Sequence, residues 1–296
     1  MRFEKEDDVM VDFQILYPKS VEELTEYLDE YKGDCRILAG GTDLLVNIRS
    51  GKVHCKYLIS LRKVGELTPE IKVQSGRLIV GALSTMSDLY RNQDVKKYFP
   101  ALGRAAYLMG SQQIRNQATL AGNLCNASPA AETATPLLIY DGTIKVRGFK
   151  DRGERREIPV GDFFAGPGKT TLKANELVTE VSLPIPEIPQ RSIYERISRR
   201  NGVDLAIINL SMSVDESKNL RVAYGSLGPV PYRSEKIEEA LRQYIDGQID
   251  EQALYAVIEN NVSPISDLRS SAEYKVEMIK ILTGKTIAQL LNEGGN

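Results

Sequence analysis

The stretch ILAGGTDLLV, Ile37 to Val46, constrains the fold more than any other part of the chain. Aliphatic side chains run into it and out of it, so it joins two buried elements through a turn. A turn needs one glycine; here Gly40 and Gly41 stand together and are followed at once by Thr42, Asp43 and a helix start. Two residues without a Cβ leave the backbone open to close approach. Exposed N–H groups ahead of a helix form a cradle for an anion, and the helix dipole adds to it. The stretch is neither GxGxxG nor GxxxxGK[ST], so the cradle is of another kind. On these residues alone, a tight strand-to-helix turn capped by Asp43 explains the pattern equally well.

The surrounding sequence says what the turn belongs to. DFQILYP reads as a strand ended by Pro18, and SVEELTEYLDEYKGD as a helix with Ser20 as N-cap, Glu23 completing a capping box and Gly33 as the stop. CRILAG is a buried strand, LLVNIRSG a short helix and CKYLISL a further strand, an order that implies a small, largely parallel sheet over residues 11–65. Residues 66–184 read as a second α+β unit. IKVQSGRLIVGAL is a hairpin turned at Ser75-Gly76, STMSDLYRNQDVKKYF one helix, and PALGRAAYLMG another, opened by Pro100 and stopped by Gly110. TIKVRG, REIPV and ELVTEVSLP are strands. PIPEIPQ, Pro184 to Gln190, marks a boundary, and residues 190–293 hold three strands followed by a helical cluster.

A second stretch repeats the chemistry of the first. ATLAGNLCN, Ala118 to Asn126, places a hydroxyl (Thr119), a small-residue turn (Ala121, Gly122) and an amide (Asn123) after the polar connection SQQIRNQ. Asn123 has the atoms either to donate to a phosphate oxygen or to tie down its own loop. Two such turns in adjacent α/β units point to a pyrophosphate held between them, and so to a dinucleotide. GPGKTTL, Gly166 to Leu172, is a decoy: the phosphate loop it imitates needs a glycine where Phe163 stands, and Pro167 removes an N–H such a loop would use.

Composition narrows the chemistry. The formal net charge of −2 comes without a basic block, which argues against nucleic acid as partner, and no apolar run approaches a membrane span. The opening MRFEKEDDVMVDF is too acidic and too broken for a signal peptide, so a cytoplasmic protein is expected. Cys35, Cys55 and Cys125 are widely spaced and His54 is the single histidine, which leaves no cysteine-ligated cluster, zinc knuckle or multi-histidine metal site. His54 reads as a loop side chain. Chemistry here falls to a cofactor. RRNGVD, Arg199 to Asp204, reads as a solvated strand end whose arginines are also placed to meet a partner or a cofactor edge. Glu22, Glu23, Glu238 and Glu239 read as exposed helix carboxylates without a role.

LAGGTDLL at 38–45, GSQQIRNQATLAGNLCNASPAAE at 110–132, FFAGPGKTTLKANELVTEV at 163–181 and GPVPYR at 228–233 occur in this order. In that combination the chain resembles the FAD-binding medium subunit of the molybdenum hydroxylases, the xanthine dehydrogenase and carbon monoxide dehydrogenase group, from about residue 11 to 290. Residues 1–10 look like an unrelated extension. The resemblance implies an α+β fold of the vanillyl-alcohol-oxidase (PCMH) type: two α/β subdomains clasping an extended FAD, plus a C-terminal three-stranded sheet with a helical cluster. It implies that Ile37, Leu38, Ala39, Gly40, Gly41, Thr42, Asp43 and Leu44 wrap the pyrophosphate and approach the flavin. Ala118, Thr119, Gly122 and Asn123 would hold it from the other side, with Cys125 near by its backbone. Glu132 falls where an acidic residue bonds FAD hydroxyls, Met109 near the flavin or adenine, and Val178 where a side chain packs on the cofactor.

The implied role is electron transfer. A molybdopterin-binding large subunit hydroxylates the substrate, a small subunit with two [2Fe–2S] clusters relays electrons, and the FAD of this chain passes them to an acceptor such as NAD⁺, with no catalytic acid or base required here. Three features depart from the pattern. Ala121 stands where glycine is usual. Glu195, with Arg196 beside it, replaces a lysine common in the strand around Tyr194. No cysteine-rich insertion is present, so the extra cluster of the benzoyl-CoA-reductase relatives is not expected. The rival readings are a stand-alone FAD-dependent reductase or oxidase on the same fold, and a nucleotide-binding scaffold.

Overall fold

The computed structural model describes residues 13–148, 154–200 and 202–292; the N-terminal extension, Asp12 of the first strand, Asn201 of RRNGVD and Glu293 lie outside the described residues. Strands β1 (Gln14–Leu16), β2 (Cys35–Leu38) and β3 (Tyr57–Ser60) form a parallel sheet in the order β1-β3-β2. Parallel neighbours need a crossover, and the helix Val21–Glu30 supplies it between β1 and β2. Its Val21 and Leu24 are buried in the same core as Ile59. Ser20 Oγ caps it by accepting the Glu23 N–H at 3.1 Å. The Glu23 carboxylate takes the Lys19 N–H at 2.7 Å instead of that of Ser20, so the expected box closes one residue early.

The second unit contains β4 (Ile71–Gln74), β5 (Arg77–Gly81), β6 (Thr143–Gly148), β7 (Arg155–Pro159), β8 (Phe164–Gly166), β9 (Lys169–Thr170) and β10 (Glu176–Pro184). Five of these make an antiparallel sheet in the order β4-β5-β10-β6-β7; β8 and β9 form a small hairpin. The decoy GPGKTTL is this hairpin's tip, with Gly168 at φ +68. The stretch expected as one helix is two, Met86–Arg91 and Gln93–Tyr98. Asn92 breaks it because its side chain caps the second helix, accepting from the N–H groups of Asp94 and Val95 while its own backbone is extended. SQQIRNQ holds a short helix, Gln112–Arg115.

The last unit is an antiparallel sheet of β11 (Gln190–Ile197), β12 (Ile208–Asp215), β13 (Leu220–Gly225) and β14 (Tyr232–Arg233), the last a two-residue edge added to the three strands expected. Helices Glu235–Ile245, Glu251–Asn260 and Ala272–Asn292 bury Ile237, Leu254 and Ile279 in a second core with Leu210, Met212 and Val222. Along β12, Leu210 and Met212 alternate with Asn209, Ser211 and Ser213, all equally buried. Such alternation normally puts the polar face in water. Here that face meets the helix Ala134–Ile139: Ser211 donates to Thr135 Oγ1 and Thr135 to Asn209 Oδ1. Glu238 corrects the expectation of an exposed carboxylate. It is buried, accepts the Val222 N–H at 2.9 Å and pairs with Arg233, fastening the first helix of the cluster to the sheet.

Candidate functional site

Strand β2 delivers the chain to Ala39 and the helix Leu44–Arg49 takes it away. Between them, the N–H groups of five consecutive residues, Ala39 to Asp43, have no acceptor among the described residues, and neither does the Thr42 hydroxyl. Asp43 holds the N-cap position without a cap bond. The alternative of an Asp-capped turn is therefore not what the chain adopts. Gly41 has φ +75, where only glycine is unstrained. A run of half-exposed, unpaired N–H groups at the head of a helix is a built anion cradle.

The two glycine stretches meet. A Cβ on Gly40 would lie 2.0 Å from the Gln117 carbonyl oxygen and 3.1 Å from Ala118 Cα; one on Gly122 would lie 4.0 Å from Ala39 Cβ. Gly40 is thus required by protein backbone crossing over it. Arg62, from the end of the first unit, adds a hydrogen bond to the Gln117 side chain at 2.8 Å.

ATLAGNLCN is a helix, Leu120–Asn126, where a turn was expected. Thr119 is its N-cap, and its hydroxyl accepts the Gly122 N–H at 3.0 Å. Asn123 Oδ1 receives the Thr133 hydroxyl at 2.6 Å, so the side chain does tie down its own loop, while its Nδ2 has no partner among the described residues. Ala121 is buried in the core, which explains how a methyl is accommodated there. Cys125 is open to solvent, yet the surrounding walls push its thiol up to about 12. Asp43 shows the same combination, an exposed carboxylate whose pKa the nearby protein raises. Both side chains thus combine contact with solvent and partial desolvation by the protein around them.

Glu132 closes the site from the third unit's side. Its Oε1 meets Arg196 Nη1 of β11 at 3.0 Å, each side chain 9% exposed. Burial raises the Glu132 carboxyl; the guanidinium pulls it back, and Asp43 adds a smaller push upward. Arg196 also donates to the carbonyls of Gly202 and Asp204, so the departure noted in the sequence carries the loop between β11 and β12. The Tyr194 hydroxyl, in the field of this pair, is buried without a partner among the described residues. Met109 and Val178 are core residues, the first closing a helix by its N–H to Ala105, the second beside a bulge of β10. Arg196, Gln117 and Thr133 are the residues that sequence reasoning did not assign. The polar tract around Gln117 was the available signal.

Among the described residues no group of His, Cys, Asp or Glu is arranged to hold a metal, and no helix is long and apolar enough to cross a membrane. The fold and the cradle define a dinucleotide-binding flavoprotein of the two-subdomain type. The chain belongs to the family described as the FAD binding domain in molybdopterin dehydrogenase, matched over residues 11–186, followed by a CO dehydrogenase flavoprotein C-terminal domain over residues 193–290. It is an FAD-binding oxidoreductase subunit. It is 29% identical to the xanthine dehydrogenase FAD-binding subunit of Escherichia coli O157:H7, over 88% of this chain and 90% of that one. A carbon monoxide dehydrogenase structure from Hydrogenophaga pseudoflava superposes with a TM-score of 0.86 at 25% identity, covering 95% of this chain and 98% of its counterpart. Quinoline 2-oxidoreductase from Pseudomonas putida 86 gives 0.84 at 26% identity, covering 95% and 97%.

Proposed function

We propose that this chain is the electron-transfer subunit of a cytoplasmic, multi-subunit molybdenum hydroxylase of the xanthine dehydrogenase kind. A molybdopterin-binding large subunit carries out the hydroxylation, a small subunit with [2Fe–2S] clusters delivers the electrons, and an acceptor such as NAD⁺ removes them here. FAD, when bound, supplies the exchange between one-electron and two-electron carriers. The observation that carries this reading is the row of five unengaged N–H groups from Ala39 to Asp43, set against Gly122 and Asn123 of the facing helix. The backbone of Ile37 to Leu44 takes one side of the pyrophosphate. Ala118, Thr119, Gly122 and Asn123 take the other, with Asn123 Nδ2 as the free donor, and Cys125 lies beside them. Glu132 Oε2, left free by the Arg196 pair, accepts from an FAD hydroxyl. Met109 and Val178 pack against the cofactor. The units divide at 65/66 and across 184–190, where β10 ends and β11 begins.

The test is to saturate the isolated chain with FAD and assay it alone and with its two partner chains. Electron transfer from NADH to a dye by the single chain, with hydroxylation of a heterocycle only on reconstitution, is the expected result. Hydroxylation by the single chain, or complete catalysis on a substrate of its own, would replace this reading with a stand-alone flavoenzyme.

A further inference from the structure

The five-stranded sheet turns one face to the helices, Val178 among the buried side chains there; its other face forms the wall of a concavity of about 700 Å³. The register of the sheet decides which charges this wall presents. Residues directly opposite on antiparallel strands point to the same side. One row therefore reads Glu157, Lys145, Glu180, and the Lys145 Nζ meets Glu180 at 3.1 Å, so the lysine is neutralised in place. In the next row Arg147 stands directly opposite Arg155.

Like charges facing each other across a ladder are destabilising unless something lies between them. Neither arginine side chain has a hydrogen bond or ion pair among the described residues, and Arg147 Nε is buried without an acceptor there. The neighbouring arginines are engaged. Arg156 makes two 2.7 Å contacts with Glu176, and Arg77, toward the far end of the wall, lies on Ser182 and Thr143. Among the described residues of this wall, the positive charge that remains unmatched is confined to the Arg147–Arg155 pair.

We propose that this pair binds the phosphate group of a small molecule, at a site on the opposite face of the sheet from Val178. Two guanidiniums on adjacent strands, with Cβ atoms roughly 5 Å apart, offer planar forks of donors to one doubly charged oxyanion. The orphaned Nε gains its acceptor and the cross-strand repulsion is removed. The flanking carboxylates of Glu157 and Glu180 keep anionic groups at the arginine end. A concavity of about 700 Å³ has room for more than the phosphate itself, within the roughly 300–1,000 Å³ of small-molecule sites.

The site is tested on the FAD-saturated chain by calorimetry with inorganic phosphate and, separately, with ADP, at low and at physiological salt. Saturable binding of either is expected, and Arg147→Gln with Arg155→Gln should weaken it at least about tenfold, the loss of charged hydrogen bonds. Flavin content should stay as in the wild type, and the ligand-free melting temperature should be unchanged or higher, since the cross-strand repulsion is gone. Binding of phosphate alone identifies the free ion as the ligand; binding of ADP well above phosphate identifies a phosphorylated molecule. No binding of either at millimolar concentration, or binding that survives the double substitution, overturns the proposal.

Discussion

The two glycine stretches carry nearly the same letters and adopt different structures. At 37–44 the chain passes through a left-handed Gly41, and neither the Thr42 hydroxyl nor the N–H groups of Ala39 to Asp43 bond to the described protein. At 118–126 the chain becomes a helix directly. Thr119 Oγ1 accepts from the Gly122 N–H, the Asn123 N–H bonds to the Thr119 carbonyl, and Asn123 Oδ1 accepts from the Thr133 hydroxyl. The first stretch leaves its donors without partners among the described residues; the second satisfies most of its own and leaves the Asn123 Nδ2 donors unpaired there. A hydroxyl next to a small residue is therefore ambiguous in sequence. Whether it caps a helix depends on whether it occupies the N-cap position itself: Thr119 stands immediately before Leu120, whereas Asp43 separates Thr42 from Leu44.

The largest effect that can break this contrast is at Gly40. Gly40→Val adds a branched side chain where even a Cβ meets a backbone oxygen at 2.0 Å, and backbone cannot rotate aside. The chain should lose FAD and melt much earlier, whereas Gly122→Ala, whose one close approach is to the Thr119 hydroxyl at 2.8 Å, should melt closer to the wild type. Wild-type melting of Gly40→Val would show that the two units do not close on each other. Next is Cys125. With its thiol pushed up to about 12, it carries about a thousandfold less thiolate near neutral pH than a thiol at 9.0, since each unit is tenfold. Alkylation of its peptide, followed by mass spectrometry, should be slow at pH 7.5 despite its exposure and should accelerate as pH rises toward 12; fast labelling at pH 7.5 would show that the thiol is not desolvated.

Two threonines sharpen the comparison further. Thr119→Ala should destabilise the apoprotein by about 1 kcal/mol, the usual value of a helix cap, read by denaturant titration. Thr42→Ala should leave apoprotein stability within about 0.5 kcal/mol, as a side chain without internal bonds does. Its effect should appear as FAD binding weaker by about 1 kcal/mol, one hydrogen bond, in a fluorescence titration. Equal stability losses in the two variants would mean that the stretches are equivalent after all.

Much of the fold was legible because local chemistry and periodicity agree. Ser20 begins its helix, Pro100 begins another, and the Ser75-Gly76 turn lies between β4 and β5. The family was legible from four motifs in order. What misled was local: Asn92 looked like a polar residue within one helix and is the cap of a second, and Glu238 looked solvated because no sequence neighbour announces that Arg233 and the Val222 N–H will enclose it. The Arg196–Glu132 pair spans 64 positions, and the sequence gives no reason to join them.

By itself the sequence determined the order of most strands and helices, the place of the two glycine stretches, the FAD-binding family and the absence of cysteine and histidine patterns for metal chemistry, because these depend on residues within a few positions of one another. The tertiary structure alone decided the rest. It set Gly40 under the Gln117 backbone, kept the donors of Ala39 to Asp43 free while those of the second stretch were taken, buried the polar face of β12 on Thr135, and placed Arg147 opposite Arg155. Each of those is a contact between segments far apart in the chain, and its energy depends on burial and register that exist only once the units have packed.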